Sequence, residues 1–345
     1  MQYARLGETG LVVSKLALGT MTFGSGKGSF AASVYKVDQA GAQRLVGKAL
    51  DAGVNYFNTA DAYAGGQSEI LLGKALGARR AEAVIATKVG NRMSRALIDQ
   101  GLSRRQILAA ADASLARLGT DWIDVYLVHR LDPYTPLEET LQALQSLVSA
   151  GKVRYIGFSN WPAWLAAKAV GIQRANGWEP FRAAEMYYSL VSRDLEHEVV
   201  PFALDAGIGV QVWSPLAGGF LSGRYTRQDP GGSGGRLSGF DFIPFDRERG
   251  YALVDRLQTL ARRRGVSPAQ LAIAWLLGRP AVSSVLVGAS TPEQLDDNLK
   301  SVQVSLDAEE LAQLEHWSVP AALYPGWFTA KLFDAPLREA LASKV

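Results

Sequence analysis

The stretch LEETLQALQSLVSAGKVRYIGFSN (Leu137–Asn160) passes from a helical to an extended pattern within a few residues. Leu137, Leu141, Leu144 and Leu147 recur at the spacing of one helix face, and the pattern runs to Ala150. Gly151 follows as a helix stop, since glycine adopts the left-handed terminal conformation at least cost. Tyr155–Phe158 is then a short apolar strand that ends on the polar pair Ser159-Asn160. The same unit repeats along the chain. Helical patterns cover Gln39–Ala52, Ser103–Leu118, Arg193–Ala206 and Tyr251–Arg264, closed by Gly53, Gly119, Gly207 and Gly265. Further strands are read at Leu16–Leu18, Tyr56–Asn58, Ala83–Lys88, Val125–His129, Ala183–Tyr187, Val210–Trp213 and Ser284–Val287. Eight short strands alternating with helices predict an α/β fold, a closed (β/α)8 TIM barrel of parallel strands.

Outside the repeat, Gln2–Arg5 and Leu11–Val13 flank a Gly-Glu-Thr-Gly turn, which reads as an N-terminal β-hairpin covering the barrel floor. The glycine-rich piece Asp229–Gly239 (DPGGSGGRLSG) reads as a mobile loop after strand seven, where barrel enzymes carry phosphate-binding loops. Pro292–Lys300 and Asp307–His316 read as helices, and Val319–Phe328 is rich in proline and aromatics, opening a C-terminal tail over residues 319–345. The expectation is one barrel domain over residues 1–345.

Composition narrows the function classes. The chain has 48% hydrophobic residues, enough for one large core, and a net charge of only +3. Basic residues are scattered except for short clusters such as Arg262-Arg263-Arg264, which read as solvated helix face, so no nucleic-acid partner is expected. With no cysteine and only His129, His197 and His316, thiolate chemistry is excluded and no metal site is expected. No long apolar segment is present at the start or elsewhere, so a cytoplasmic protein without a membrane partner is expected.

In a barrel the chemistry sits at the C-terminal ends of the strands, and there the polar residues collect: Asn58 with Tyr63, Lys88, His129, and Ser159-Asn160. Singly, each has a plainer reading as packing, a solvated terminus or a satisfied core group. Together at matched strand ends they suit carbonyl reduction. Hydride addition makes an alkoxide, so a proton donor is needed, and a phenol with an ordinary pKa of about 10 needs help. Tyr63 is read as the acid, Lys88 as the cation that lowers its pKa, and His129 as the group that polarises and orients the carbonyl.

The motifs LGTMTFG (Leu18–Gly24), NTADAYAGGQSE (Asn58–Glu69), IATKVG (Ile85–Gly90), YLVHR (Tyr126–Arg130), IGFSN (Ile156–Asn160), YYSLVSRDLE (Tyr187–Glu196), WSPLAGGFLSGRY (Trp213–Tyr225) and VGASTPEQLDDN (Val287–Asn298) span nearly the whole chain. In this order and spacing they resemble the aldo-keto reductase superfamily, which includes the potassium-channel β subunits. The resemblance places Tyr63, Lys88 and His129 at three of four catalytic positions, with Asn58 at the fourth, where the family usually has Asp. In the family that Asp pairs with the lysine. Asn58 keeps the hydrogen bonds without the charge, so Lys88 is expected to be held without an ion pair. Asp61 is an alternative carboxylate, though a loop position entering a helix reads better as an N-cap.

The resemblance also implies a nicotinamide dinucleotide, NADP(H) rather than NAD(H). Gly19, Thr20, Met21 and Asn58 fall at the cofactor; Trp213 would stack on the nicotinamide, although a strand-end Trp also serves as a core plug. Ser159 and Asn160 resemble the carboxamide-binding pair, and Glu185 stands where the family often has Gln. Ser214, Pro215, Leu216, Ala217 and the Gly218-Gly219 backbone resemble a pyrophosphate loop whose main-chain N–H groups approach phosphate, with Arg224 and Arg236 placed to add charge-assisted bonds. Gly288, Ser290, Gln294, Asp297 and Asn298 match the 2′-phosphate and adenine site at a helix N-terminus. No G-x-G-x-x-G fingerprint occurs in a βαβ context, in keeping with a family that binds its dinucleotide without a Rossmann fold.

Met21, Phe30, Tyr134, Trp161 and the tail segment Tyr324–Phe328 are read as an aromatic mouth for a small-molecule carbonyl or alcohol. Two other readings stay open: an NADP-binding redox-sensing subunit with weak turnover, to which Asn58 points, and a cofactor-free aldolase or isomerase using Lys88 as a Schiff base.

Overall fold

A computed structural model describes residues 1–232, 234–329, 331–332 and 334–342. Residue 233 of the predicted loop and residues 330, 333 and 343–345 of the predicted tail lie outside the described residues. The strands are β1 Tyr3–Arg5, β2 Val12–Ser14, β3 Leu16–Gly19, β4 Tyr56–Asn58, β5 Val84–Val89, β6 Ile123–Val128, β7 Val153–Ser159, β8 Ala183–Tyr187, β9 Gly209–Trp213 and β10 Val282–Gly288. β3 to β10 close an all-parallel barrel in the order β10-β3-β4-β5-β6-β7-β8-β9, as expected for a (β/α)8 fold. The helices are α1 Ser29–Val34, α2 Gln39–Asp51, α3 Gln67–Leu76, α4 Arg104–Leu118, α5 Leu137–Ser149, α6 Ala163–Ala175, α7 Val199–Ala206, α8 Arg247–Arg264, α9 Pro268–Leu277, α10 Pro292–Leu299, α11 Ala308–Trp317, α12 Gly326–Thr329 and α13 Ala335–Ala342.

Alternation along each strand divides the core in two. Ala17, Tyr56, Ala86, Val125, Leu127 and Ala183 form one buried cluster with Leu6 and Val13 of the N-terminal segment. Tyr126, Val128, Ile156 and Phe158 belong to a second, with Leu141, Leu144 and Leu147 of α5. Each of these leucines is worth about 1.5–3 kcal/mol on full burial, so the face read in Leu137–Ala150 is the one that holds α5 to the sheet. All five glycines expected as helix stops have positive φ: Gly53, Gly119, Gly151, Gly207 and Gly265.

The hairpin β1–β2 covers the floor. Gly7 N–H donates to Ser283 Oγ (3.2 Å), Ser283 Oγ to Arg5 O (2.9 Å), and Glu8 N–H to Gly207 O (2.9 Å). Gly7 has φ 56°, and a Cβ there would lie 2.4 Å from Gly207 O, so only glycine closes this contact.

The expected helix Arg193–Ala206 is shorter than its pattern. A 3-10 turn at Asp194–Glu196 precedes α7, which starts at Val199 and places Pro201 in its first turn. There proline's missing N–H has no partner to lose, whereas deeper in a helix it would break the ladder. The Asp229–Gly239 loop is irregular apart from the 3-10 turn Arg236–Ser238. The tail carries two helices, α12 and α13.

Candidate active site

The strand ends deliver the polar residues to one rim. β4 ends on Asn58, β5 carries Lys88, His129 follows β6 directly, β7 ends on Ser159 and β9 on Trp213. Tyr63 opens the 3-10 turn Tyr63–Gly66 after β4. A cavity of about 1190 Å³ opens here, lined by Asn58, Tyr63, His129 and every expected cofactor residue except Ala217. Lys88 lies beneath it, fully buried.

Four acceptors surround the Lys88 ammonium: Asn58 Oδ1 (2.7 Å), Thr59 O (2.8 Å), Tyr63 OH (3.2 Å) and Glu185 Oε1 (3.2 Å). The last contact corrects one expectation. Lys88 does have an ion-pair partner, and it comes from β8, diametrically opposite β4 in the barrel order. Glu185 was read as a contact for the carboxamide. Its other oxygen accepts from Asn58 Nδ2 at 2.7 Å, while Glu185 still lines the cavity with acceptor sites to spare. A carboxylate 3% exposed needs a cation, and Lys88 is the lysine whose ammonium shares this interior.

Asp61 neither caps a helix nor reaches Lys88. The turn at Tyr63 has Ala62 as N-cap with no side-chain cap bond. Asp61 is fully buried, and neither oxygen has a well-formed hydrogen bond. Burial and then Glu69 push its carboxyl up to about 7. Glu69 itself is occupied by Arg117 (2.6 Å) and Thr87 Oγ1 (2.5 Å).

Burial pulls the Lys88 ammonium down, but Glu185 and Tyr63 more than offset it, and its pKa sits above the ordinary value. Tyr63 runs against expectation: burial raises its phenol by more than Lys88 lowers it, with Glu185 adding to the rise. Burial, then Lys88 and Arg130, push the His129 imidazole down to about 3, so it is neutral. Its ring meets Tyr63 edge-on at 5.8 Å. Asn91 Nδ2 lies 2.9 Å from His129 Nδ1. With the amide donating, Nδ1 accepts and the proton resides on Nε2. Asn91 lines the cavity and was missed by the sequence reading; its one signal was an amide just past the strand that carries Lys88.

Trp213 stands at the rim with its indole N–H donating to Asn160 Oδ1 (3.0 Å), so it is oriented rather than plugged into the core. In the loop after it, the N–H groups of Ala217, Gly218 and Gly219 are taken up by Ser214 O, Ser214 Oγ and Leu216 O. That corrects the expected role of the Gly218 N–H toward phosphate. The loop's geometry is strained instead, with Ser214 and Ala217 at φ 52° and 49°. Arg224 lines the cavity with Nε bonded to Gly232 O (2.7 Å). Arg236 is mostly buried, with Nη2 on Met21 Sδ (3.1 Å), its Cζ 5.1 Å from the Phe240 ring, and Nε without a partner. At the far end the Ser290 N–H is held by Gln294 Oε1 (2.8 Å), Asn298 Nδ2 donates to Gly288 O (3.2 Å), and Asp297 receives bonds from Ser267 and Gln270 of the α9 start. Lys36 lines the same cavity and was not anticipated. A largely buried guanidinium whose Nε–H has no partner among the described residues, in a cavity lined from the partly buried Trp213 indole to the start of α10, fits an anionic dinucleotide.

The aromatic wall differs from the one read in the sequence. Trp161 is core, stacked on Phe158 at 5.8 Å; Tyr134 is 90% exposed; and the Tyr324, Trp327 and Phe328 rings pack on one another. None of them lines the cavity, whereas Met21 and Phe30 do. The rest of the wall comes from Phe240, Phe242 and Ile243. Phe30 meets Phe240 at 4.9 Å, and the Phe242 ring lies parallel to Trp213 at 6.1 Å, so the loop after β9 leans over the loop after β3. Among the described residues no cluster of three or more metal-ligating groups occurs, and no helix is long and apolar enough to cross a membrane.

A parallel barrel that sets a tyrosine and a histidine on its cavity wall over a fully buried lysine has the arrangement of an oxidoreductase. The chain belongs to the aldo/keto reductase family, whose model matches residues 15–318. It is 37% identical over 350 residues to the versiconal hemiacetal acetate reductase of Aspergillus parasiticus, covering 94% of this chain and 99% of that one. It is 36% identical over 325 residues to the uncharacterized oxidoreductase YrpG of Bacillus subtilis, covering 91% of this chain and 95% of that one.

Proposed function

We propose that the chain reduces an aldehyde or ketone to the alcohol, or runs the reverse, with NADP(H). The observation that carries this reading is the contact of Lys88 with Tyr63 at 3.2 Å, beside a neutral His129 whose Nδ1 lies 2.9 Å from the Asn91 amide nitrogen. The cofactor supplies or accepts the hydride. Tyr63 is the proton donor; its raised pKa keeps the phenol protonated through neutral pH, and Lys88 steadies the charge left on its oxygen. His129 Nε2–H orients the carbonyl oxygen. Ser159 and Asn160 would hold the carboxamide, Trp213 the nicotinamide face, and Arg236 with the loop residues Ser214, Pro215 and Leu216 the diphosphate. Ser290, Gln294 and Asn298 would hold the adenosine end, with Lys36 as the added cation for a 2′-phosphate. The apolar wall of Phe30, Phe240, Phe242 and Ile243 suits a carbonyl on an apolar or aromatic body.

A sensor with weak turnover was suggested by the missing charge at position 58, and Glu185 restores that charge. A Schiff-base lysine must lose its proton, whereas Lys88 is an ammonium with four acceptors and a raised pKa. The test is a screen of carbonyl compounds by NADPH absorbance, with Trp fluorescence titration by NADPH and NADH. Tyr63→Phe should lose at least ~100-fold in reduction while NADPH affinity stays within a few-fold. Undiminished turnover in that variant would remove Tyr63 from the mechanism.

A further inference from the structure

An ammonium that is fully buried cannot stand without a counter-charge. Among the described residues the one carboxylate at ion-pair distance from Lys88 is Glu185, and between them stands Asn58. The Asn58 amide is used at both ends: Oδ1 accepts from Lys88 at 2.7 Å and Nδ2 donates to Glu185 at 2.7 Å. A carboxylate at position 58 could accept from the ammonium but could not donate to Glu185. It would set two anions against each other at hydrogen-bond distance, and one would have to take up a proton. Asparagine at 58 and glutamate at 185 therefore require one another.

We propose that Glu185 is the positioning residue that supplies Lys88 with its counter-charge from the opposite side of the barrel, and that Asn58 is the neutral bridge that makes this arrangement possible. The site thus contains the same number of charges as one with a carboxylate at 58 and a neutral amide at 185, with the anion moved from β4 to β8. Glu185 acts through Lys88, and through Lys88 on the Tyr63 phenol. The charged and titratable groups facing this pair are Tyr63 and Asp61 from the loop after β4, His129 after β6, Tyr56 on β4 and Arg236 from the loop after β9. Tyr56 is buried with its hydroxyl unpartnered, and burial and then Glu185 keep it protonated. His129 remains neutral. Lys88, Tyr63 and Asp61 are the titratable groups beside the pair that respond to its charge.

The proposal rests on the reductase reading for its rate readout and on the apoprotein for its second. The experiment compares wild type, Glu185→Gln, Asn58→Asp and the double variant Asn58→Asp/Glu185→Gln. Both single variants should lose at least ~10-fold in single-turnover hydride transfer from bound NADPH, and the double should recover to within a few-fold of wild type. In Glu185→Gln the alkaline limb of the pH–rate profile should fall by about 1–3 units, because burial then acts on Lys88 without the opposing anion. In the double variant that limb should return. On the NADPH-free proteins, urea midpoints at pH 8 should fall in each single variant and rise again in the double. A double variant no better than the worse single one, in rate and in midpoint, would overturn the proposal, as would a Glu185→Gln limb coincident with that of wild type. A double variant that fails to fold while either single one folds would overturn it too. If wild type turns over no carbonyl compound, the reductase reading fails, yet the midpoints still decide whether Glu185 and Asn58 act as a coupled pair.

Discussion

Replacing Asn91 by aspartate should reverse the proton on the His129 ring without adding or removing a ring atom near the cavity. In the wild type the Asn91 amide donates to Nδ1 at 2.9 Å, and the imidazole, pushed down to about 3 by burial and by Lys88 and Arg130, stays neutral at any working pH. Nε2 is then always a donor toward the cavity. An aspartate at 91 accepts instead, so the neutral ring must carry its proton on Nδ1 and present a bare Nε2 to the carbonyl oxygen. Losing one donor to a developing oxyanion costs about 10²–10³ in rate, or roughly 2.7–4 kcal/mol. The same carboxylate favours the imidazolium, which has N–H groups on both sides, so activity should return as the pH falls. The expected outcome is a loss of about 100-fold at pH 8 that narrows steadily toward pH 5, against a wild-type profile with no acid limb from His129. Asn91→Leu, which removes a neutral hydrogen bond worth about 0.5–1.5 kcal/mol, should lose no more than ~10-fold and gain no pH dependence. The assay is kcat/KM against pH, with ¹⁵N spectra of the labelled imidazole to read the tautomer. Equal rates for Asn91→Asp and wild type at pH 8 would refute the argument that Asn91 sets the tautomer.

Arg236→Ala should weaken NADPH and NADH alike by more than ~10-fold, since charge-assisted bonds contribute about 1.5–3 kcal/mol and Arg236 touches Met21 and acts on Tyr63, at the reacting end rather than the 2′-phosphate end; fluorescence titration showing a loss confined to NADPH would reverse that placement. Asp61→Asn should leave stability at pH 4 little changed and raise it at pH 8. Its carboxyl is held at about 7 in the fold against an ordinary 3.8, so wild-type stability is lost as pH rises from about 4 through 7, by at most roughly 4 kcal/mol at 1.36 kcal/mol per unit; urea unfolding at the two pH values checks this. Ala64→Gly should raise the melting temperature by one to a few degrees, about 0–1 kcal/mol, because Ala64 is held at φ 49° beside Tyr63.

The barrel was legible in the sequence because its helices turn one face inward and its strands are short and end in polar residues. The reading was weakest where that contrast is missing. α9 is buried from Ala269 to Leu277 and apolar apart from Gln270 in its first turn, so it carries no period to read; its start is marked only by the Ser267–Gln270 capping box and Pro268. The Arg193–Ala206 pattern ran past its true start because the heptad-like spacing continues through Asp194–Glu196, and only Pro201 argues against it.

The site was legible position by position, and less so in its partnerships. Asn58, Tyr63, Lys88 and His129 could each be placed at a strand end from local pattern, and the structure brings all four together. Which of them are bonded to which depends on contacts between strands far apart in sequence. Glu185 lies 127 residues from Asn58 and 97 from Lys88, and nothing local distinguishes a lumen-facing carboxylate that reaches across the barrel from one that faces a ligand. Charge conservation inside a barrel is the constraint that links them. A buried lysine with an asparagine where its family expects an aspartate leaves one anion missing, and because the Lys88 ammonium is fully buried that anion must come from another strand. Applied to the sequence, the same rule singles out strand residues with carboxylates on the inward register, and in β8 that residue is Glu185, paired in register with Ser159 of β7 and Gln211 of β9. A departure at one catalytic position is therefore a reason to look for a second departure across the barrel before concluding that the chemistry has been lost.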